Sequence, residues 1–264
     1  MVFKDQTGHS FSLNSIPARI ISLVPSQTEL LFYLGLDQEV TGITKFCVHP
    51  LHWFQTKTKV GGTKQIKMEI IHQLRPDLII ANKEENEKEQ VEKLLAEYPV
   101  WVSDVHTLDD AKSMIREIGM LTGKENKATA LVKDINSLLQ ELKYEIPAGM
   151  LRAAYLIWRK PYMTVGGNTF IDSMMKIAGF ENVFNQYRRY PQVTIEELQS
   201  LHCELLLLSS EPFPFKQKHI KELQSFFPDT KIILVDGEMF SWYGSRLLLV
   251  AEYFQKLRKT IKNE

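Results

Sequence analysis

Residues 68–82 read MEIIHQLRPDLIIAN, and residues 195–209 read IEELQSLHCELLLLS. The second stretch repeats the first in altered form. Each opens on an apolar residue followed by a glutamate, Glu69 or Glu196. Each closes a short helical segment on a leucine, Leu74 or Leu201. After two intervening residues comes an acid, Asp77 or Glu204, and then an apolar run with strand character. A short helix feeding a buried strand is a piece of an α/β unit. Its recurrence far along the chain predicts a duplicated α/β lobe. Two lobes in one chain predict a ligand cleft between them.

The sequence around the first copy extends this pattern. Residues 19–24 (RIISLV) read as a strand stopped at Pro25, with Ser26 or Thr28 positioned to cap a helix ending at Gly35. Residues 40–44 and 100–103 read as further strands, and residues 86–97 as a charged helix. Residues 45–67 read as a long connection. Alternation of strands and helices predicts a parallel sheet. Residues 108–143 keep helical periodicity, broken at Thr122-Gly123, and a long helix is expected from about Glu125 to Tyr144, ended by Pro147 and Gly149. The second lobe is expected to repeat the plan. Its strands fall at residues 153–158, 163–165, 205–209 and 231–235, and Asn168 or Thr169 caps a helix. The expected organisation is α/β: residues 1–122 form one Rossmann-like lobe, 123–148 a single linking backbone helix, and 149–264 the second lobe.

Composition excludes several classes. The 264 residues carry 32 Lys+Arg against 32 Asp+Glu, with no basic stripe, which argues against a nucleic-acid partner. No apolar run reaches the ~20 residues that span a bilayer. The N-terminus lacks the continuous apolar segment of a secretory signal, so the chain is expected to be cytoplasmic or to take an export signal from outside these residues. Cys47 and Cys203 lie in different halves, which makes a disulfide an unfavourable reading and leaves the redox compartment open.

Ligands of parallel sheets sit beyond the carboxyl ends of the strands. Those ends are rich in aromatics here: Phe46, Trp53, Trp158, Tyr162, Phe213, Phe215, Phe240, Trp242 and Tyr243. Aromatic walls suit a large flat ligand. Pro25, Ser26, Lys83 and Glu84 follow strand ends of the first lobe. Arg159 and Arg246 are expected to meet polar or anionic edges of the ligand. Cys47, His49 and His52 form C-x-H-x-x-H, a set that suits soft or borderline metals but matches no zinc spacing. His49 alone is a candidate axial contact to the metal of a bound macrocycle. Gly61-Gly62-Thr63-Lys64 and Gly166-Gly167-Asn168 lack phosphate-loop and dinucleotide spacing, and no G-x-S-x-G elbow is present.

The segment ARIISLVPSQTELLFYLGLDQEVTGIT resembles the opening of type III substrate-binding proteins of ABC importers. VGGTKQIKMEIIHQLRPDLIIAN and PQVTIEELQSLHCELLLLS resemble their later motifs, in order. The vitamin B12-binding branch is the nearest, with siderophore and haem binders related. Thr63-Lys64 stands where that branch carries a tryptophan. The resemblance implies a monomeric binding protein with no catalytic residues and no intrinsic cofactor. It implies that cobalamin or a related metal chelate (ferric siderophore, haem) lies between the lobes, and places the protein in the periplasm or cell envelope. It also implies docking of Glu69 and Glu196 onto an ABC permease dimer. An alternative on the same frame is a cytoplasmic chelatase or corrinoid-handling enzyme, with His49, Cys47 and Glu84 holding metal and protons.

Overall fold

The computed structural model describes residues 1–145 and 149–263, and the side chains of all of these except 143–145 and 263. Pro147, the expected helix terminator, lies outside the described residues. The chain divides into two compact units. The first holds Met1–Val105, Asp109–Asp134 and Tyr243–Arg246. The second holds His106–Leu108, Ile135–Trp242 and Leu247–Glu264. The chain therefore returns to the first unit for four residues, which the expected boundaries did not include.

The first unit opens with a hairpin of β1 (Val2–Lys4) and β2 (Ser10–Ser12). Then follow β3 (Ile20–Ser22), α1 (Pro25–Tyr33), β4 (Val40–Ile43), α2 (Leu51–Thr56), β5 (Thr58–Lys59), α3 (Met68–Leu74), β6 (Leu78–Asn82), α4 (Lys88–Leu95), β7 (Val100–Ser103), α5 (Leu108–Leu121) and α6 (Glu125–Glu145), whose residues from Ile135 onward belong to the second unit. Five strands form a parallel sheet in the order β5-β4-β3-β6-β7. The order reverses direction between β3 and β6, the switch point beside which sheets of this kind take their ligands. Buried Ile21, Leu23, Ile79, Ala81, Val100 and Val102 alternate onto one face, against Ile71, Val91 and Leu94 of the flanking helices.

Two expectations are corrected. Neither Ser26 nor Thr28 caps α1. The helix begins at Pro25, whose fixed φ suits the first position, and Val24 is the N-cap with no side-chain bond. The Thr28 hydroxyl instead donates back to the Val24 carbonyl at 2.9 Å. The connection at residues 45–67 contains α2 and β5, which are too short and too weakly capped to show a period.

The second unit holds β8 (Leu151–Trp158), β9 (Tyr162–Thr164), α7 (Phe170–Ile177), β10 (Phe180–Asn182), β11 (Gln192–Val193), α8 (Ile195–Ser200), β12 (Leu205–Ser209), α9 (Gln217–Gln224), β13 (Lys231–Val235), α10 (Glu238–Ser241) and α11 (Leu247–Asn263). Its sheet runs β11-β9-β8-β12-β13, with β10 also on β8. Strands β8, β10, β12 and β13 are parallel, and β9 is antiparallel to β8. Thr169, not Asn168, caps α7, accepting from the Asp172 N–H. Thr194 and Glu197 close a capping box on α8.

The internal repeat occupies the same slot in both sheets. β6 lies between β3 and β7, and β12 lies between β8 and β13. The repeated acid does the same work twice. Asp77 donates its N–H to the Arg19 carbonyl at 2.8 Å, and its carboxylate accepts the Arg19 N–H at 2.9 Å. Glu204 donates to the Arg152 carbonyl at 2.8 Å and accepts the Arg152 N–H at 2.9 Å. Each acid thus sets the register at the start of its unit's central strand pair. Among the described residues no helix is long and apolar enough to cross a membrane.

Candidate functional site

The carboxyl ends of β3, β6 and β7 in the first unit are joined by buried polar side chains. Asn82 ends β6, where strand pairing stops and backbone groups need new partners. Its Oδ1 accepts the N–H groups of Glu84 and Glu85 at 2.8 and 2.9 Å, and its Nδ2 donates to Ser103 Oγ at 3.0 Å. Asn86 accepts the Asn82 N–H at 2.8 Å and donates to the carbonyls of Leu23 (3.3 Å) and Thr63 (3.0 Å). One buried amide therefore fixes three loops. Lys64 adds a bond from its ammonium to the Glu84 carbonyl at 2.8 Å.

Pro25 lies half-buried and Ser26 buried at the start of α1, beside this switch point. The segment Tyr243–Arg246 packs there too. The Tyr243 hydroxyl donates to Glu85 at 2.9 Å, and Arg246 donates through Nε and Nη2 to Glu29 at 3.0 and 2.6 Å. Gly244, at φ +128°, sits against Ser26 O and Leu30 Cβ, each 3.3 Å from where its own Cβ would stand. Burial and the Glu85 carboxylate hold the Tyr243 phenol well above its ordinary pKa. Lys83 pairs with Asp104 at 2.5 Å, and Glu84 is half-buried. Phe46 follows β4 and is 50% exposed, under the Lys45 ammonium at 5.1 Å.

Cys47, His49 and His52 do not act as one cluster. The Cys47 thiol is buried against the hydroxyls of Thr28 (3.0 Å) and Thr44 (3.1 Å), and burial raises its pKa. His49 is half-buried, and the His52 ring instead packs edge-on against Phe32 at 5.2 Å. Among the described residues no group of three or more His, Cys, Asp and Glu is placed to hold a metal ion. Both cysteines are buried and free.

In the second unit, β8 delivers Trp158 and Arg159, and β9 starts at Tyr162 on the same end. Trp158 is 40% exposed and meets Phe213 edge-on at 5.9 Å. Arg159 donates to both Glu222 oxygens at 2.6 and 2.7 Å, and the Tyr162 hydroxyl lies 3.4 Å from the same carboxylate. The Arg159 guanidinium holds Glu222 below the usual carboxylate range. At the end of β12, Glu211 accepts the Ser241 hydroxyl at 2.6 Å and the Trp242 indole N–H at 3.0 Å. Burial pushes the Glu211 carboxyl up, its two donors pull it back, and Glu238 and Asp236 push it further up.

Several expectations change. Trp53, Phe215 and Phe240 are core residues rather than strand-end walls. Trp242, Tyr243 and Arg246 are buried. Both arginines expected to meet the ligand already hold an intramolecular carboxylate. Sequence reading missed those partners, Glu29 and Glu222, together with Glu85, Glu211 and the two asparagines. Glu69 and Glu196 stand exposed in the first turns of α3 and α8, as the repeat implied. The helix start favours a carboxylate there, and hydrogen bonds from its own backbone and from Thr194 lower the Glu196 pKa.

Residues 20–231 match the family model described as periplasmic binding protein. A vitamin B12-binding protein of Vibrio parahaemolyticus is 30% identical over 194 residues, covering 72% of this chain and 70% of the relative. Among solved structures, the periplasmic vitamin B12 binding protein BtuF of Vibrio cholerae superposes with a TM-score of 0.81 at 21% identity, over 94% of this chain and 99% of that one. The periplasmic haem-binding protein HutB of the same organism superposes with a TM-score of 0.77 at 20% identity, over 91% of this chain and 98% of that one. The family match spans both copies of the repeat, and the chain belongs to the periplasmic binding protein family.

Proposed function

We propose that this protein binds a metal-centred macrocycle or chelate, with a corrinoid such as cobalamin first, and delivers it to the permease dimer of an ABC importer. The observation that carries the reading is a pair of exposed aromatic rings at strand carboxyl ends, one in each unit. Phe46 follows β4 and Trp158 ends β8, where parallel sheets take their ligands. Flat apolar faces of this kind suit a flat macrocycle, and the flanking donors suit its polar rim. The vitamin B12-binding name of the Vibrio parahaemolyticus relative points the same way. His49 follows the same loop as Phe46, and a neutral imidazole is a good ligand for cobalt or iron.

The two exposed glutamates support the second half of the reading. Glu69 and Glu196 occupy matching helix starts in duplicated elements, so each unit offers one exposed carboxylate to a cationic surface of a permease. The test of binding is a fluorescence titration with cyanocobalamin, haemin and a ferric siderophore. A bound corrinoid or haem chromophore is expected to quench Trp158, so the signal change should shrink in Trp158→Phe. Emission that none of the three alters at tens of micromolar would sink the ligand class.

A further inference from the structure

Arg159 spends part of its guanidinium within the protein, on Glu222 and on the Tyr162 hydroxyl. Nη2 donates to both oxygens of Glu222, at 2.6 and 2.7 Å, while Nε is buried and has no hydrogen-bond partner among the described residues. The pair is reachable: the side chains of Arg159 and Glu222 are 20% and 39% exposed. It adjoins the Tyr162 hydroxyl, and Trp158, the exposed ring of this face, immediately precedes Arg159. The neighbouring charges on α9 and at its start are cationic. Lys216, Lys218 and Arg159 lie close enough to His219 to act on its charge, and Glu222 is the acid of α9. Glu222 is therefore the carboxylate of an otherwise cationic corner.

A guanidinium whose charge is already compensated still donates hydrogen bonds. It can serve a neutral acceptor through its remaining N–H groups. A ligand carboxylate there would have to displace Glu222 or stand beside it, at a distance where like charges repel. A tethered carboxylate also competes at high effective concentration. We propose that Glu222 sets the charge class of the ligand: by neutralising Arg159 it reserves this corner for a neutral acceptor, such as a peripheral amide carbonyl of a corrinoid, and disfavours a carboxylate. The inference rests on the proposed function and names the residue that decides between ligands within it.

The test uses two coloured probes, dicyanocobinamide, whose rim carries neutral amides, and haemin, which carries two carboxylates. Each is titrated into the parent, Glu222→Gln and Arg159→Gln/Glu222→Gln. The parent is expected to bind dicyanocobinamide more tightly than haemin. Glu222→Gln should gain about tenfold or more in haemin affinity, the order expected for a close charge pair. That gain should shrink as salt rises and vanish in the double variant, while dicyanocobinamide affinity changes by less than about threefold in Glu222→Gln. A parent that binds the corrinoid but shows no haemin gain on Glu222→Gln, or a gain of equal size for both probes, overturns this inference and leaves the proposed function standing. A parent that binds neither probe overturns both.

Discussion

Asn86 is the point at which the first unit's strand-end loops should be most sensitive to change. In Asn86→Ala three hydrogen bonds disappear together: one accepted from the Asn82 N–H and two donated to the carbonyls of Leu23 and Thr63. Asn82 and Leu23 are 3% and 0% exposed, so their backbone groups lose their partner without regaining water. Thr63 is half-exposed and recovers solvent. Two buried orphans at about 1–3 kcal/mol each give a loss of about 2–6 kcal/mol. Asn86→Asp keeps the acceptor for Asn82 but sets a carboxylate against two carbonyl oxygens, so it should cost at least as much. Urea unfolding followed by tryptophan emission, in a Trp158→Phe/Trp242→Phe background, reports on Trp53 and Trp101, which are buried in the same unit. A loss below about 1 kcal/mol for Asn86→Ala would refute the reasoning, because it would mean that the three loops hold their places without this amide.

The other expectations are simpler to check. Substituting Glu69 and Glu196 together by Gln should leave folding and ligand affinity nearly unchanged while weakening association with the cognate permease, most visibly at low salt; uptake equal to the parent's would contradict docking through these acids. His49→Ala should shift the visible bands of a bound cobalt or iron chelate, and an unchanged spectrum at unchanged affinity would remove His49 from the metal. Glu211 is a buried carboxyl with a raised folded-state pKa, so its effect on stability has a definite sign. The group favours the folded state most at low pH and loses that contribution as pH rises from the unfolded value, about 4.3, through the folded one. Glu211→Gln should therefore gain stability relative to the parent across that window, and a difference that is flat with pH would contradict the assignment.

Much of the frame is legible in the sequence because it rests on period and punctuation. The apolar runs at β3, β6, β8, β12 and β13 and the glycine after α1 mark elements that the structure places where they were expected. The repeat is legible as a pattern. What Asp77 and Glu204 do for it is not, since their partners, Arg19 and Arg152, stand on a neighbouring strand 58 and 52 positions away. The short elements α2, β5, β10 and β11 are held by neighbours rather than by propensity, so no local signal marks them. The site divides the same way. Trp158 and Phe46 could be found because strand ends could be found. Arg159 and Arg246 could be named, but not their state, because Glu222 and Glu29 approach through tertiary structure. The one local clue passed over is Asn82 with Asn86, an amide at a strand terminus followed by another four residues on, a spacing suited to closing a turn.

The proposed function requires that one metal-centred macrocycle bind per chain. Isothermal titration with cyanocobalamin and dicyanocobinamide, with haemin and a ferric siderophore as competitors, tests it most directly. Saturable binding of the corrinoids at one site per chain is expected, with a negative heat-capacity change from burial of the aromatic faces. The absence of heat or competition from all four at tens of micromolar would contradict it.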